Sequence, residues 1–442
     1  MRHRIPPDGS PAARRKPRRR RTAIIDSLRP TTGTSNVKNW WPIVALGLLS
    51  APTIFLRIVG VELPPAFEVA LFGSAILAAA FLLTWASEVA ETEMSQTLAL
   101  AFLAIIAVLP EYAVDIYFAW TAHTNPENAH FAIANMTGGN RLLVGFAWPM
   151  IFLIFWLKTR KRVLSVDPTQ NGLSVIILGV ATLYSFSIPL RGNLSLIDTG
   201  VALVIFGSYL WLMSRMPARE VDVFVGPAAA IKAMPAVPRR LVVAAIFIFS
   251  AGVIFSAAEP FANGLVALGG DLGIDQFILV QWLAPLASES PEFLLAGLLT
   301  ARGRPGAGMT LLLSSKVSQW TLLIGSVPAA FSISGATLSP MNFDTRQAEE
   351  VFLTAAQSLF AVAIFVSLSI SVWEAGLLAV LFATQLFFFN TTVRIGYGFA
   401  YLLLALLVFF RDRPTMPVLW RTAREAISPS QSGSRDPHKP PG

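Results

Sequence analysis

Apolar residues occur along the chain in long runs separated by short polar stretches. Each run holds roughly 18 to 28 residues, enough to cross a hydrocarbon core about 30 Å thick. Inside a bilayer the backbone must satisfy its own hydrogen bonds, which leaves helices or a closed barrel. The runs are continuously apolar rather than alternating, and that selects helices. Twelve spans are predicted, at 41–59, 65–91, 95–121, 130–157, 173–190, 194–214, 240–261, 276–300, 308–330, 349–369, 371–390 and 394–410. The short connections near 370 and 392 are the weakest boundaries.

Loop charge gives these spans a direction. With the N-terminal tail in the cytoplasm, the cytoplasmic side receives Lys158–Arg162, the segment 215–240, Arg302–Arg304 and the tail from Arg411. The opposite side receives 122–129, 191–193, 262–275, 331–348 and 390–393, all poor in Lys and Arg. This is the positive-inside pattern, and dropping one central span would destroy it.

Two segments about 180 residues apart resemble each other. The first reads AIIAVLPEYAVDIYFAW and then IANMTGGNRLLVG. The second reads QWLAPLASESPEFLLAGLL and then LSSKVSQWTLLIG. Glu111 falls opposite Glu292, Pro110 opposite Pro291, Asn135 opposite Ser315, and Gly145 opposite Gly325. Upstream, Glu88 in WASEVA loosely matches Glu259 in SAAEPF. The loop charges run the first Pro-Glu helix outward and the second inward, so the repeats are inverted. That plan recurs in secondary transporters, with a midplane site between the halves. The expected fold is an all-α polytopic membrane protein. It has two inverted five-helix repeats with broken Pro-Glu helices, flanking transmembrane helices, and 11 to 12 spans. The predicted division is a basic disordered tail at 1–40, an extra helix at 41–59, repeat one at 65–214, and a cytoplasmic linker at 215–239. Repeat two follows at 240–390, then an extra helix at 394–410 and a Pro- and Ser-rich disordered tail at 411–442.

Composition sharpens this picture. Of 442 residues, 54% are hydrophobic and 14% charged, against about 25% charged in a soluble domain. The net charge is +8, and the first forty residues alone carry +9. The run from Arg14 to Arg21 reads as a tail that fixes topology and touches anionic lipid, not as a nucleic-acid site. No cleavable signal peptide is expected. The absence of cysteine excludes disulfides and thiolate metal sites.

A carboxylate at mid-membrane depth costs several kcal/mol. It persists where it faces a wet cavity and binds something positive. Proline removes an N–H and so frees the carbonyl four residues earlier, here Ile106 and Ala287. A free carbonyl beside a carboxylate suits hard cations such as Na⁺ or Ca²⁺. Ser288 and Glu289 share the helix face of Glu292, and Asp115 stands one turn after Glu111. In the following helices Gly138, Gly139, Ser314, Ser315 and Ser318 permit close approach. Asn135, Asn140, Ser315 and Gln319 offer neutral oxygens.

The pattern resembles the cation/calcium exchanger superfamily, with its sodium/calcium and proton/calcium exchangers. That family carries G-T-S-x-P-E and then G-N-x-x-G-S-N-I in each of two inverted repeats. The resemblance covers about residues 65–390 and implies that Glu111 and Glu292 hold the ion. It departs at Ala107 and Val108, at Ser288 and Glu289, and at Ala134-Asn135-Met136 and Ser314-Ser315-Lys316. The family's next liganding position falls on Gly139 and Gln319. The resemblance implies a secondary antiporter exchanging Ca²⁺ against Na⁺ or H⁺ by alternating access. The expected cation site is Glu111, Glu292, Ser288, Glu289, Asn135, Ser315, Gln319 and Asp115, with Lys316 as a modulating residue.

Plainer readings stand beside these. A membrane glutamate can be a structural hydrogen-bonding group. Asp115 reads equally as a site residue or as one facing the bundle lumen. Glu88 and Glu259 lie near predicted span ends and read equally as interfacial. Glu289 and Lys316 form either a structural ion pair or part of the site. His123, Glu127 and His130 read as a solvated loop rather than a metal cluster. Trp40, Trp41, Trp148 and Trp156 read as interfacial or packing residues. On the same fold, a sodium/proton antiporter is the nearest variant. A membrane-embedded enzyme is disfavoured: Leu268-Gly269-Gly270-Asp271 is no protease motif, three of the four histidines lie outside the spans, and His130 stands at the first position of one. A passive channel suits paired carboxylates less well. The expected location is the plasma membrane, with both termini cytoplasmic, and the expected partners are small inorganic cations and lipid, with no cofactor and no nucleic acid.

Overall fold

The computed structural model describes residues 36–61, 63–92, 109–216, 224, 226–388 and 390–427. The basic run and the N-terminal half of the third span, with Ile106, Ala107 and Val108, lie outside the described residues.

In chain order the first half contains α1 (Asn36–Val59), α2 (Pro65–Ala90), α3 (Leu109–Thr121) and α4 (Glu127–Leu142). A π-helical turn, Leu143–Ala147, leads into α5 (Trp148–Thr159), then β1 (Val163–Ser165), α6 (Pro168–Ser185), α7 (Ser187–Arg191), β2 (Asn193–Leu194) and α8 (Leu196–Met213). A short α9 (Pro227–Lys232) precedes the second half, which opens with α10 (Ala236–Leu272) and α11 (Gln276–Ala301). Next comes α12 (Pro305–Ser318), a second π-helical turn (Gln319–Leu323), α13 (Ile324–Ser334), β3 (Met341–Asn342) and α14 (Thr345–Phe365). The chain ends with β4 (Ser369–Ser371), α15 (Val372–Gln385), α16 (Thr391–Asp412) and α17 (Met416–Ile427).

Each predicted span coincides with a helix or a helix pair, with the third only partly described. Among the described residues, eight helices are long and apolar enough to cross a membrane. The helices α11 and α12–α13 are long enough but fall short in apolarity, because they carry the acids, serines and lysine singled out by the sequence.

The halves interlock crosswise. Helix α2 lies along its counterpart α10, while α11 packs on α4 and α3 packs on α13. Thus each Pro-Glu helix rests on the downstream helix of the other half. Small residues permit this. A Cβ on Gly138 of α4 would collide with the Gln281 backbone carbonyl of α11, so glycine is required for the two backbones to touch.

Two small strand pairs tie loops at the helix ends. The strand β1 pairs antiparallel with β4, in register Val163 with Ser371, and β2 pairs with β3, in register Asn193 with Asn342. Lys158 reaches the Ala301 carbonyl, and His123 stacks on Phe331 at 4.0 Å between centroids. These contacts join loops 158–172, 301–304 and 366–371 in one set, and loops 122–129, 191–193 and 331–344 in another. Loop charge assigns 158–162 and 302–304 to one face and 122–129, 191–193 and 331–348 to the other, and assigns 366–371 to neither.

Three expectations change. The second Pro-Glu helix is not broken: α11 is continuous through Pro285 and Pro291. A proline costs one N–H, but packed neighbours can keep the helix in line. Helix α10 runs to Leu272, eleven residues past the predicted end, so Glu259 sits inside the helix, where it pairs with Arg57. The C-terminal region is not wholly irregular. Helix α17 packs on α6, with Leu419 buried and Trp420 exposed. Trp148 is fully buried edge-on against Phe365, a packing residue, whereas Trp41 is exposed.

Candidate cation site

The site forms where α3, α4, α11 and α12 cross. Glu111 and Asp115, one turn apart on α3, are both buried. The Asn135 side-chain amide of α4 donates to Asp115 Oδ1 at 2.8 Å. That contact ties the Asp115 carboxyl to α4.

Gly139 of α4 lies between the two halves' acids. A Cβ there would collide with Glu289 Oε1 and lie 3.1 Å from Glu111 Oε1. Glycine therefore lets a carboxylate from α3 and one from α11 approach the same patch of helix backbone. Glu111 is within electrostatic reach of Glu289, Asp115 and Glu292, and of the Lys316 ammonium. Glu289 in turn faces Glu292, Gln319, Lys316 and Asp115. Glu292 is half-buried and neighbours Ser315. The acid that shares Gly139 with Glu111 is Glu289, one turn before the Glu292 that the repeat pairs with it. Ser288 is buried, but its hydroxyl donates to the Ala284 and Pro285 carbonyls of its own helix, at 3.2 and 3.3 Å.

The donor set tests whether these residues fit a cation. Glu111 Oε1, Asp115 Oδ2, Asn135 Oδ1, both Glu289 oxygens, Glu292 Oε2, Ser315 Oγ and Gln319 Oε1 are buried without a hydrogen-bond partner. Buried polar atoms are normally satisfied. A concentration of orphaned oxygens is what a hard, oxygen-seeking cation would complete. Among the described residues no three acids converge closely enough to form a metal cluster by themselves, so Asn135, Ser315 and Gln319 would have to contribute. The His123, Glu127 and His130 group is no such cluster: His123 stacks on Phe331, and His130 lies 3.7 Å from Asp344.

Lys316 of α12 is fully buried. Its ammonium does not take Glu289 as hydrogen-bond acceptor. It donates to Asn140 Oδ1 at 2.7 Å and to the Asn140 carbonyl at 3.3 Å, with the Trp320 ring face 4.5 Å away. The sequence pointed to the nearest acids along the chain. The real acceptor belongs to the other half and is brought in by the helix crossing.

A second buried group was missed. Arg141 of α4 pairs with Glu350 of α14 at 2.6 Å, both side chains fully buried. Arg394 of α16 pairs with Glu349 at 2.8 Å and also with Glu350. The Arg141 guanidinium also lies over the Trp282 ring of α11, at 4.9 Å. An arginine inside the span 130–157 was the available signal. Glu349 and Arg394 were hidden because they fall at predicted span ends.

Each half also places a π-helical turn just beyond its polar segment, after Asn140 and after Ser318. Such turns cluster at functional sites.

Helices that interlock as inverted halves around buried, unsatisfied carboxylates define a membrane-embedded cation transporter. The chain belongs to the sodium/calcium exchanger protein family, which matches residues 65–215 and 242–391. Among solved structures, the H⁺/Ca²⁺ exchanger CAX is 40% identical with a TM-score of 0.84, covering 88% of this chain and 98% of that one. The Ca²⁺/H⁺ antiporter YfkE is 14% identical with a TM-score of 0.57, over 78% and 99% of the two chains. The sodium-calcium exchanger NCX_Mj is 17% identical with a TM-score of 0.50, over 74% and 98%. These last two likenesses are of fold. No curated protein matches the chain. The chain is an integral membrane protein, and cation exchange is the activity by which its family is described.

Proposed function

We propose that the protein is a secondary antiporter that moves Ca²⁺ in exchange for H⁺ or Na⁺. The observation that carries this reading is the approach of Glu111 and Glu289 to the same glycine, Gly139, with Asp115 and Glu292 within electrostatic reach of Glu111 and with oxygens that no hydrogen bond satisfies. Like charges so close repel unless compensated. A bound Ca²⁺, or the protons or Na⁺ that replace it, supplies the compensation, and that mutual exclusion couples the two fluxes. Pro291 offers no N–H to the Ala287 carbonyl, which leaves an acceptor one turn before Glu292. Rocking of one half against the other would open the site to each side in turn. The likeness to the H⁺/Ca²⁺ exchanger supports Ca²⁺ and H⁺ as the exchanged pair.

The test is flux into proteoliposomes with Ca²⁺, Na⁺ and proton gradients imposed one at a time. The expected result is Ca²⁺ uptake that requires an opposing proton or Na⁺ gradient. Ca²⁺ uptake with no counter-ion gradient would identify a channel. Exchange of Na⁺ for protons with no Ca²⁺ movement would favour the sodium/proton variant.

The repeats are proposed to occupy 65–214 and 240–390, between flanking helices at 41–59 and 394–410. Both termini and the linker 215–239 are placed on the cytoplasmic face of the plasma membrane. The β2–β3 pair supports the sidedness, because it joins two loops that loop charge assigns to one face. The chain has no native thiols, so single cysteines report orientation cleanly. Arg160→Cys is expected to label from the cytoplasmic side, and Asn125→Cys and Asp344→Cys from the other. Cytoplasmic labelling at Asn125 overturns the assignment.

A further inference from the structure

Lys316 stands where the resemblance places an asparagine, and what holds it is informative. The ammonium is wholly buried, deep in α12, so it cannot reach water by extending its stem. An ammonium has three N–H donors and no acceptor. Two acceptors come from one residue of the opposite half, the Asn140 side-chain oxygen at 2.7 Å and its backbone carbonyl at 3.3 Å. The Asn140 amide is oriented for this. Its nitrogen donates to the Met136 carbonyl at 2.9 Å, which turns its oxygen towards the lysine. The Trp320 ring presents its face 4.5 Å from the nitrogen, a further preference for positive charge. Glu289 and Glu111 act on the ammonium from beyond these contacts.

An amide oxygen, a backbone carbonyl and nearby carboxylates are the ligand types that a hard cation takes in a protein. The lysine nitrogen takes ligands of these types from Asn140, across the seam between the halves. From this arrangement we infer that the Lys316 ammonium is a built-in cation that fills one cation position of the central site, and so limits how many mobile cations the carboxylates hold. The inference rests on the reading of the carboxylates as the transport site. It extends that reading to specificity: Glu111 and Glu289 answer to one fixed positive charge before any mobile ion arrives. Two like charges a few ångströms apart oppose each other strongly in a medium of reduced dielectric. A Ca²⁺ held at Glu111 and Glu289 therefore binds against the lysine.

The experiment is Ca²⁺ titration of the purified full-length protein, read by calorimetry and by Ca²⁺-dependent thermal stabilisation. Lys316→Gln removes the charge and keeps a polar side chain of similar reach. It is expected to bind Ca²⁺ at least about tenfold more tightly than the wild type, or to take up an additional ion. Lys316→Arg keeps the charge and is expected to bind as the wild type does. Should Lys316→Gln fail to fold, Asn140→Asp retains the lysine and sets a carboxylate against it. That variant is expected to tighten Ca²⁺ binding in the same direction. Unchanged affinity and stoichiometry in the folded charge-altering variant overturns the inference, as does a Lys316→Arg protein that behaves like Lys316→Gln. Glu111→Gln separates the two readings. If it binds Ca²⁺ like the wild type, the carboxylate site itself is wrong. If it loses binding while Lys316→Gln matches the wild type, only the built-in cation fails.

Discussion

Glu111→Gln is expected to abolish coupled flux while leaving the protein folded. Glutamine keeps nearly the shape of glutamate and removes its charge. The Glu111 Oε1 atom is buried without a hydrogen-bond partner, so no structural donor loses its acceptor there. What disappears is one of the acids that make the crossing attractive to a cation. Truncating one partner of a buried charge pair in a binding contact costs about 2–5 kcal/mol, and 1.4 kcal/mol is tenfold in affinity. Flux should therefore fall by about a hundredfold. Glu289→Gln should have an effect of the same size, because Glu289 and Glu111 approach the same glycine. Glu292→Gln should be milder, since Glu292 is half-buried and neighbours Ser315. The measurement is proteoliposome flux normalised to reconstituted protein, with thermal unfolding as the folding control. Wild-type flux in folded Glu111→Gln and Glu289→Gln would rule out the site. Loss of flux in Glu292→Gln alone would move its centre to the position that the repeat alignment marks.

The placement of Glu289, rather than Glu292, beside Gly139 shows where sequence reasoning stopped. Alignment of the repeats pairs Glu111 with Glu292 and treats Glu289 as an addition. It cannot say which acid faces the partner helix, because that depends on how α11 is rotated against α4. The contact of Gly138 with the Gln281 carbonyl sets that rotation, and it joins residues 143 positions apart. Helix existence was easier, since continuous apolar runs leave the backbone no other choice in a bilayer. The inverted arrangement was legible for the same kind of reason, because loop charge reports direction without knowledge of contacts. Helix α17 was not legible. A tail rich in Pro, Ser and Arg reads as irregular, and the packing on α6 that buries Leu419 is a tertiary effect. For Lys316 the depth and the cost were legible and the partner was not. Proximity along the chain favoured Glu289, whereas the helix crossing delivers Asn140 from 176 residues away.

The buried ion network gives the largest expected effect on stability. Arg141, Glu349, Glu350 and Arg394 join α4, α14 and α16, with two positive charges against two negative. Arg141 directly follows Asn140, so α4 is held on one side by the lysine and on the other by Glu350. Arg141→Met removes one positive charge and leaves Glu350 sharing Arg394 with Glu349. An uncompensated charge in a fully buried site costs about 3–5 kcal/mol. Thermal unfolding of the detergent-solubilised protein should shift down accordingly. The double variant Arg141→Met with Glu350→Met restores charge balance with side chains that can fill the space. Its loss should be well below the sum of the two single losses, because residues in direct contact do not act additively. If Arg141→Met unfolds with the wild type, the network contributes nothing measurable to stability. If the double variant is as unstable as the sum of the singles, the two residues act independently. If it recovers stability but not flux, the network also sets the orientation in which α4 presents Asn135, Gly139 and Asn140 to the site.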